Sequence, residues 1–404
     1  TQLPVTDDFN AHVELDLTRA GFDNPIPGVV KPAGKAARAA FVAVKRGEAI
    51  ALDQFNFDAS PMQAQGVIEL TKEGGFRSAR LAAVRLSTGD DMKVDVSRSG
   101  EATKIVVRGA NFDARPMLAS LIRSGSGGAA DKPSGSQKSA GDDVSVDFKM
   151  PIVTGHGKQI LSSVVFEYEA RGGRPRTVAL TGNFGREDLA IAMTRGQNGG
   201  QQLDISTNDA GSFLAFLDLY RKMENGVLSA NVALGQNRAD GAIRIRDFFV
   251  KGEPTMRQLM AQGGTSRADD RGNLRFDPEL VRVGRLQSNF TWSGGRLSVR
   301  EGVMSGPEIG LTFDGFIDFP RDRLDLSGSY VPAYALNSLL SNIPVLNLVI
   351  TGGQNEGIFA LNYRVAGALS APVVSVNPLS AIAPGLMRKI MGVLDGTARM
   401  PETR

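Results

Sequence analysis

The chain offers two imidazoles, His12 and His156, and no thiol. Imidazoles carry proton transfer or metal ligation, and either role needs a partner at defined spacing. Neither histidine has a Glu or His neighbour at ligand spacing. His12 falls on the polar side of an alternating segment, and His156 in the turn Gly155-His156-Gly157. Both are expected to be ordinary surface residues. Paired carboxylates occur at Asp90-Asp91, Asp142-Asp143 and Asp269-Asp270, flanked by Gly, Ser or Arg. Such pairs could serve acid–base chemistry or calcium, but these flanks make solvated turns the expectation. A G-x-S-x-G elbow, an H-E-x-x-H pair and a P-loop are all missing. Zero Cys also removes disulfides, thiolate zinc sites and iron–sulfur clusters. The expectation is a protein that is not an enzyme and needs no metal or cofactor. A hydrolase would require a site the sequence does not display.

The elements that would position any site are strands. Val13, Leu15 and Leu17 alternate with His12, Glu14, Asp16 and Thr18. Leu311, Phe313, Ile317 and Phe319 share one face, with Thr312, Asp314 and Asp318 on the other. Val94 and Val96, Ile105 and Val107, Ile243 and Ile245, and Leu297 and Val299 repeat the period. Turns such as Gly74-Gly75, Gly172-Gly173, Gly199-Gly200 and Ser293-Gly294-Gly295 separate these runs, and Asn225-Gly226 and Asp240-Gly241 read as hairpin turns too. Short loops join antiparallel neighbours, so roughly twenty short strands form a meander.

Helical spacing is confined to islands. These are Pro116 to Ile122, Asp209 to Met223 with Asp209 as N-cap, Pro254 to Met260, the Leu336–Ile343 region, and Leu379 to Leu394.

Charge excludes one class. Lys and Arg number 46 against 43 Asp and Glu, a net charge of +3 spread along the chain. A nucleic-acid binder concentrates its basic residues in a stripe with aromatics between them, so no nucleic-acid partner is expected. The longest apolar run, residues 343–350, is less than half of the ~20 residues a membrane helix needs. No secretory signal is visible, and a chain opening on Thr1 is expected to be a piece of something longer. Two stretches read as linkers, 124–143 and 262–273, the first without a large apolar residue. They divide the chain into 1–123, 144–261 and 274–404, with continuity of one sheet expected across them because each segment alone would leave edges unpaired.

So much sheet poses the question of what covers its apolar face, since the helical islands suffice for only part of it. The sheet can close as a sandwich or barrel, a second protein can cover it, or an apolar ligand can fill it. With neighbouring strands ~4.8 Å apart, roughly twenty would extend on the order of 95 Å, and a curved sheet of that length forms a trough. Acyl chains suit such a trough, each buried CH₂ contributing about 0.8 kcal/mol.

The C-terminal third narrows these options. Residues 315–319 (GFIDF) are followed by 324–332 (LDLSGSYVP), Ala335-Leu336-Asn337, Ile343-Pro344 and Gly352-Gly353. Then come Glu356-Gly357-Ile358-Phe359-Ala360, 363–367 (YRVAG), Pro372, 376–380 (VNPLS) and 383–388 (APGLMR). This ordered string, over roughly 285–392, resembles the AsmA-like C-terminal region of the YhdP- and TamB-related envelope proteins. Residues 15–18 with 30–35, 109–113 and 209–211 extend a looser likeness upstream.

The resemblance implies a bridge-like lipid transport protein: a long antiparallel, twisted, U-shaped β-groove with short capping helices, carrying phospholipid between inner and outer membranes without catalysis. It implies the periplasm of a Gram-negative bacterium, an inner-membrane anchor in an upstream part of the chain, bound phospholipid as cargo, and an outer-membrane or envelope partner at the C-terminal end. The alternative is a structural or assembly factor whose sheet edges bind β-strands of outer-membrane proteins.

Groove-lining candidates follow the alternation. They are Phe55 and Phe57, Phe166 and Tyr168, Phe290 and Trp292, then Leu311, Phe313, Ile317 and Phe319, and finally Leu324 and Leu326. For each, packing against a covering helix is the plainer role. In the last helix, Leu386, Met387, Ile390, Met391 and Leu394 share a face opposite Arg388 and Lys389, which suits an end cap or contact with a membrane or partner.

Overall fold

The computed structural model describes residues 10–23, 26–124, 143–196, 200–235, 237–262, 277, 279–307, 309–332 and 360–379. The chain is mainly β, with a 20-stranded sheet that does not close into a barrel and three short helices among the described residues. The long meander with short helices expected from the alternation is what forms. Its contacts divide into two compact units, Thr1–Leu121 with Ala129–Met193, and Ile122–Gly128 with Thr194–Arg404.

The first unit holds β1 (Asn10–Asp16), the short pair β2 (Phe22–Asp23) and β3 (Val30–Lys31), then β4 (Arg38–Arg46), β5 (Ala49–Ala59), β6 (Met62–Thr71), β7 (Phe76–Arg85), β8 (Asp91–Ser99) and β9 (Ala102–Asp113). Helix α1 (Arg115–Ser124) follows, its last residues from Ile122 belonging to the second unit, then β10 (Asp143–Thr154), β11 (Ile160–Arg171), β12 (Arg174–Phe184) and β13 (Glu187–Arg195), whose last two residues also count with the second unit. β1 pairs with β4, and neighbours then run in chain order to β13.

One pair departs from the expected antiparallel rule: β9 and β10 are parallel, in register from Ala102↔Asp143 to Asp113↔Thr154. Parallel neighbours need a crossover of a dozen or more residues, and the stretch read as a linker, 124–143, lies in that connection. It therefore joins adjacent strands of one unit.

The second unit holds β14 (Gln201–Thr207), α2 (Ala210–Phe216), β15 (Met223–Leu234), β16 (Ala239–Lys251), α3 (Pro254–Gln262), β17 (Leu280–Ser293), β18 (Arg296–Ser305), β19 (Ile309–Asp318), β20 (Arg323–Pro332), β21 (Ala360–Ala368) and β22 (Ala371–Leu379). Neighbours follow chain order throughout. The second stretch read as a linker, 262–273, separates β16 from β17, which pair directly.

Asp209 caps α2 as expected, accepting from the Ser212 N–H at 2.9 Å. The helix is shorter than the expected 209–223, because Asp218 takes a left-handed φ of 60° and Met223 already begins β15. The Leu336–Ile343 island and the helix expected at 379–394 fall outside the described residues, apart from Leu379 at the end of β22.

Two hairpin assignments are corrected. Asn225-Gly226 and Asp240-Gly241 lie inside β15 and β16. Each glycine is there for close approach instead of a turn. A Cβ on Gly226 (φ +99°) would fall 2.9 Å from Phe248 Cβ, and one on Gly241 would fall 2.6 Å from Phe290 Cζ.

Candidate functional site

Directly paired residues on neighbouring strands point to the same face, so the register identifies that face's occupants. In the first unit one row of partners reads Leu81–Val94–Val107–Phe148–Phe166–Leu180–Ile191, across β7 to β13. Every member is half-buried. A second row, Val96–Ile105–Val146–Tyr168–Val178, is half-buried throughout as well. Toward the opposite strand ends the same face becomes a closed core, with Val84, Met92, Met150, Val164 and Leu189 buried. The other face is polar. Arg108 donates to Asp147 Oδ2 at 2.5 Å, and this holds the Asp147 carboxyl below the usual carboxylate range.

The two sets of strand ends carry different connections, although two-residue turns at 60–61 and 185–186 also join strands at the more closed set. Tight turns at 47–48, 72–75, 100–101 and 172–173 join one set of strand ends, here called the turn edge. From the opposite ends leave α1 and the excursion 17–37, which packs Leu17, Phe22 and Val29 with Phe57 against Ala37, Ala59 and Met62. Lys31, only 1% exposed, pins that excursion, its ammonium donating to the carbonyls of Leu17 (3.0 Å) and Ala20 (2.5 Å).

The second unit shows the gradient only in part. One row reads Leu228–Ile245–Leu286–Met304–Leu311–Tyr330–Leu361, buried except for half-buried Leu286, and α2 packs on its β15 and β16 members, with Ala210 beside Ile245 and Phe248. Nearer its tight turns, Phe290, Trp292, Leu297, Val299, Ile317 and Leu326 are half-buried, while Val232, Leu324 and Val365 are buried. The ring of Phe319 stacks on Trp292 at 5.5 Å, and Phe313 lies over Gly302, where a Cβ would meet its ring. On the outer face Arg364 grips Asp325 through two hydrogen bonds (2.8 and 2.6 Å), lowering that carboxyl's pKa, and Arg296 stacks 3.7 Å from the Phe316 ring.

This sheet curls. Helix α3 leaves the end of β16 yet packs against β22, six strands away. Flat, those strands would stand ~29 Å apart, whereas nine helical residues span about 13 Å.

All twelve groove candidates are thus buried or half-buried: Leu311 is buried in the covered row, and Leu324 is buried beside the tight turn at 319–322. The five candidates of the last helix, Leu386 to Leu394, lie outside the described residues. The rest of each row escaped the sequence reading because alternation shows a residue's side but not its cross-strand partner.

The polar groups sort differently. His12 Nε2 stands 3.3 Å from Glu14 Oε1 on the exposed strand β1, and His156 Nε2 lies 3.3 Å from the Arg115 carbonyl. Asp90 corrects the expectation of a solvated turn: 2% exposed, it accepts from the N–H groups of Leu86, Ser87 and Asp113, so it ties a loop together. Asp142, Asp269 and Asp270 are outside the described residues. Tyr220 donates to Glu253 Oε2 at 3.2 Å, and burial with that carboxylate pushes its phenol far up. Among the described residues no group of three His, Asp or Glu is placed to hold a metal, and no helix is long and apolar enough to cross a membrane.

No protein-family model, curated protein or solved structure matches this chain. What the fold can do chemically must therefore be read from its own faces.

Proposed function

We propose that the protein is a non-catalytic lipid holder of the AsmA-like kind, which seats the acyl chains of phospholipids on its one-sided apolar face and passes them between inner and outer membranes through the periplasm. The observation that carries this reading is the unbroken row of seven half-buried apolar side chains across β7–β13. A sandwich would drive such a row to full burial, as happens a few residues away at Met150 and Leu189. Each methylene seated there is worth about 0.8 kcal/mol, and a continuous row spares a tail the cost of crossing water. A U-shaped groove is the form this implies, and the curl of the second unit supports it.

The strand-binding scaffold is less well served. β22 pairs with β21 alone among the described residues and would be the receiving edge. Proline sits in strands where its missing N–H faces outward. Pro372 and Pro378 share that parity, which leaves Val374 and Val376 as edge donors.

The test is native mass spectrometry of the full chain purified in mild detergent from a Gram-negative host. Several phospholipids per chain are expected, lost when Leu81 and Leu180 are both changed to Asp in a protein that keeps its far-UV spectrum. A stable, lipid-free wild-type chain would refute the reading.

A further inference from the structure

The apolar face of the first unit is closed at the strand ends that carry α1 and the 17–37 excursion, and it stays half-open toward the turn edge. Those two edges differ in charge. Over 45–48, 72–77, 98–101, 143 and 171–176 the turn edge carries eight Lys and Arg against three Glu and Asp143, whose carboxylate accepts from the Gly172 N–H at 2.9 Å. The opposite connections, 59–62, 85–91, 113–115, 154–160 and 184–188, carry four against five. Net charge over the whole chain conceals this polarity.

The excess peaks at the β11–β12 turn. Arg171, Arg174 and Arg176 surround Gly172-Gly173, all three exposed and in no ion pair among the described residues. Arg176 is the unopposed residue where the register slips, since Glu169 faces Thr177 while Ala170 faces Pro175. The same two strands carry Phe166, Tyr168, Val178 and Leu180 of the half-open rows. In the second unit the turn arginines are already engaged, Arg238 by Asp240, Arg321 by Asp318 and Arg296 by the Phe316 ring.

We propose that this turn edge is a phosphate-binding rim, centred on Arg171, Arg174 and Arg176, which holds the anionic phosphate of a glycerophospholipid whose acyl chains lie on the rows behind it. The inference rests on the lipid-holding reading above and gives it a direction: heads at the turns, tails toward the closed core. Guanidinium groups suit the task because their planar forks bind phosphate oxygens in pairs. Neutral lipids with the same tails would find the apolar face but not the rim.

The experiment compares phosphatidylglycerol with diacylglycerol of identical chains, each titrated into the delipidated protein, with inorganic phosphate as competitor. Wild type is expected to hold phosphatidylglycerol at least about tenfold more tightly, the scale of charge-assisted hydrogen bonds. The R171A/R174A/R176A variant should lose that preference while binding diacylglycerol as before; its changes lie on an exposed turn. Phosphatidylglycerol binding that survives in the variant, or equal wild-type affinity for both lipids, would overturn the rim and leave the apolar face standing. Displacement by inorganic phosphate alone would assign the rim to the free ion and overturn the lipid assignment. If wild type holds neither lipid, both readings fall.

Discussion

Two phenylalanines on neighbouring strands of the first unit allow the open-face argument to be measured as stability. Phe184 in β12 is 5% exposed, whereas Phe166 in β11 is half-buried opposite Leu180. Truncating a fully enclosed phenylalanine to alanine removes its transfer free energy and leaves a cavity, about 3–5 kcal/mol together. Phe166 forfeits only about half of the ~1.5–3 kcal/mol transfer of a large apolar side chain, near 1 kcal/mol, and leaves no cavity because solvent already reaches the site. Urea unfolding of the delipidated chain, followed by far-UV circular dichroism, should therefore place Phe184→Ala at least about 2 kcal/mol below Phe166→Ala. Phospholipid that binds the folded face should stabilise wild type by linkage, and should stabilise Phe166→Ala less. Equal costs for the two substitutions in the absence of lipid would mean that protein covers the row, and the reasoning from half-burial would be wrong.

Two further outcomes are expected. Arg364 depresses the Asp325 pKa in the folded chain, so its contribution is present above the ordinary carboxylate range and is lost as pH falls through the depressed value. Arg364→Ala should lower stability near neutrality, with the gap in urea midpoints closing as pH falls through the depressed Asp325 value; a pH-independent gap would show that the pair is not its source. Lys31→Met should leave the carbonyls of Leu17 and Ala20 without their buried donor, at about 1–3 kcal/mol. Faster chymotrypsin cleavage at Phe22 would register the loosened excursion, and unchanged protection would mean the ammonium is not what pins it.

Much of the architecture was legible because a strand with one wet face must alternate. Val94 with Val96 and Ile105 with Val107 announced β8 and β9, and Asp209 announced the start of α2. Its end was not legible, because Tyr220 continues the helical spacing although Asp218 has already left it in a left-handed conformation. Nor does alternation disclose partners, so the parallel pairing of β9 with β10 and the complete rows came from the register alone. Asp90 looked like any loop carboxylate, since what buries it is the approach of Asp113, 23 residues away. The basic turns were visible one by one in the sequence, but only the strand directions place them along a single edge.

Curl and one-sided coverage have a common local origin. Gln54, Ser163 and Glu301 adopt left-handed φ values of 52°, 53° and 53°, and each sits where the ladder slips register. An extra residue bends its strand and sharpens the local twist. None of the three is glycine, so each carries a steric cost that surrounding pairing must offset. A flat sheet would have no use for that cost. In a curled sheet the bend lets a helix as short as α3 reach from β16 to β22 and close the core at one set of strand ends. In the first unit the tight turns at the other ends contribute no long apolar side chain, because they are built from Gly, Glu, Lys and Arg, whereas in the second unit the turn at 319–322 supplies Phe319, which stacks on Trp292. The half-buried rows of the first unit therefore stand next to basic turns, and moving a helix to the turn edge should close that face and with it the proposed lipid seat.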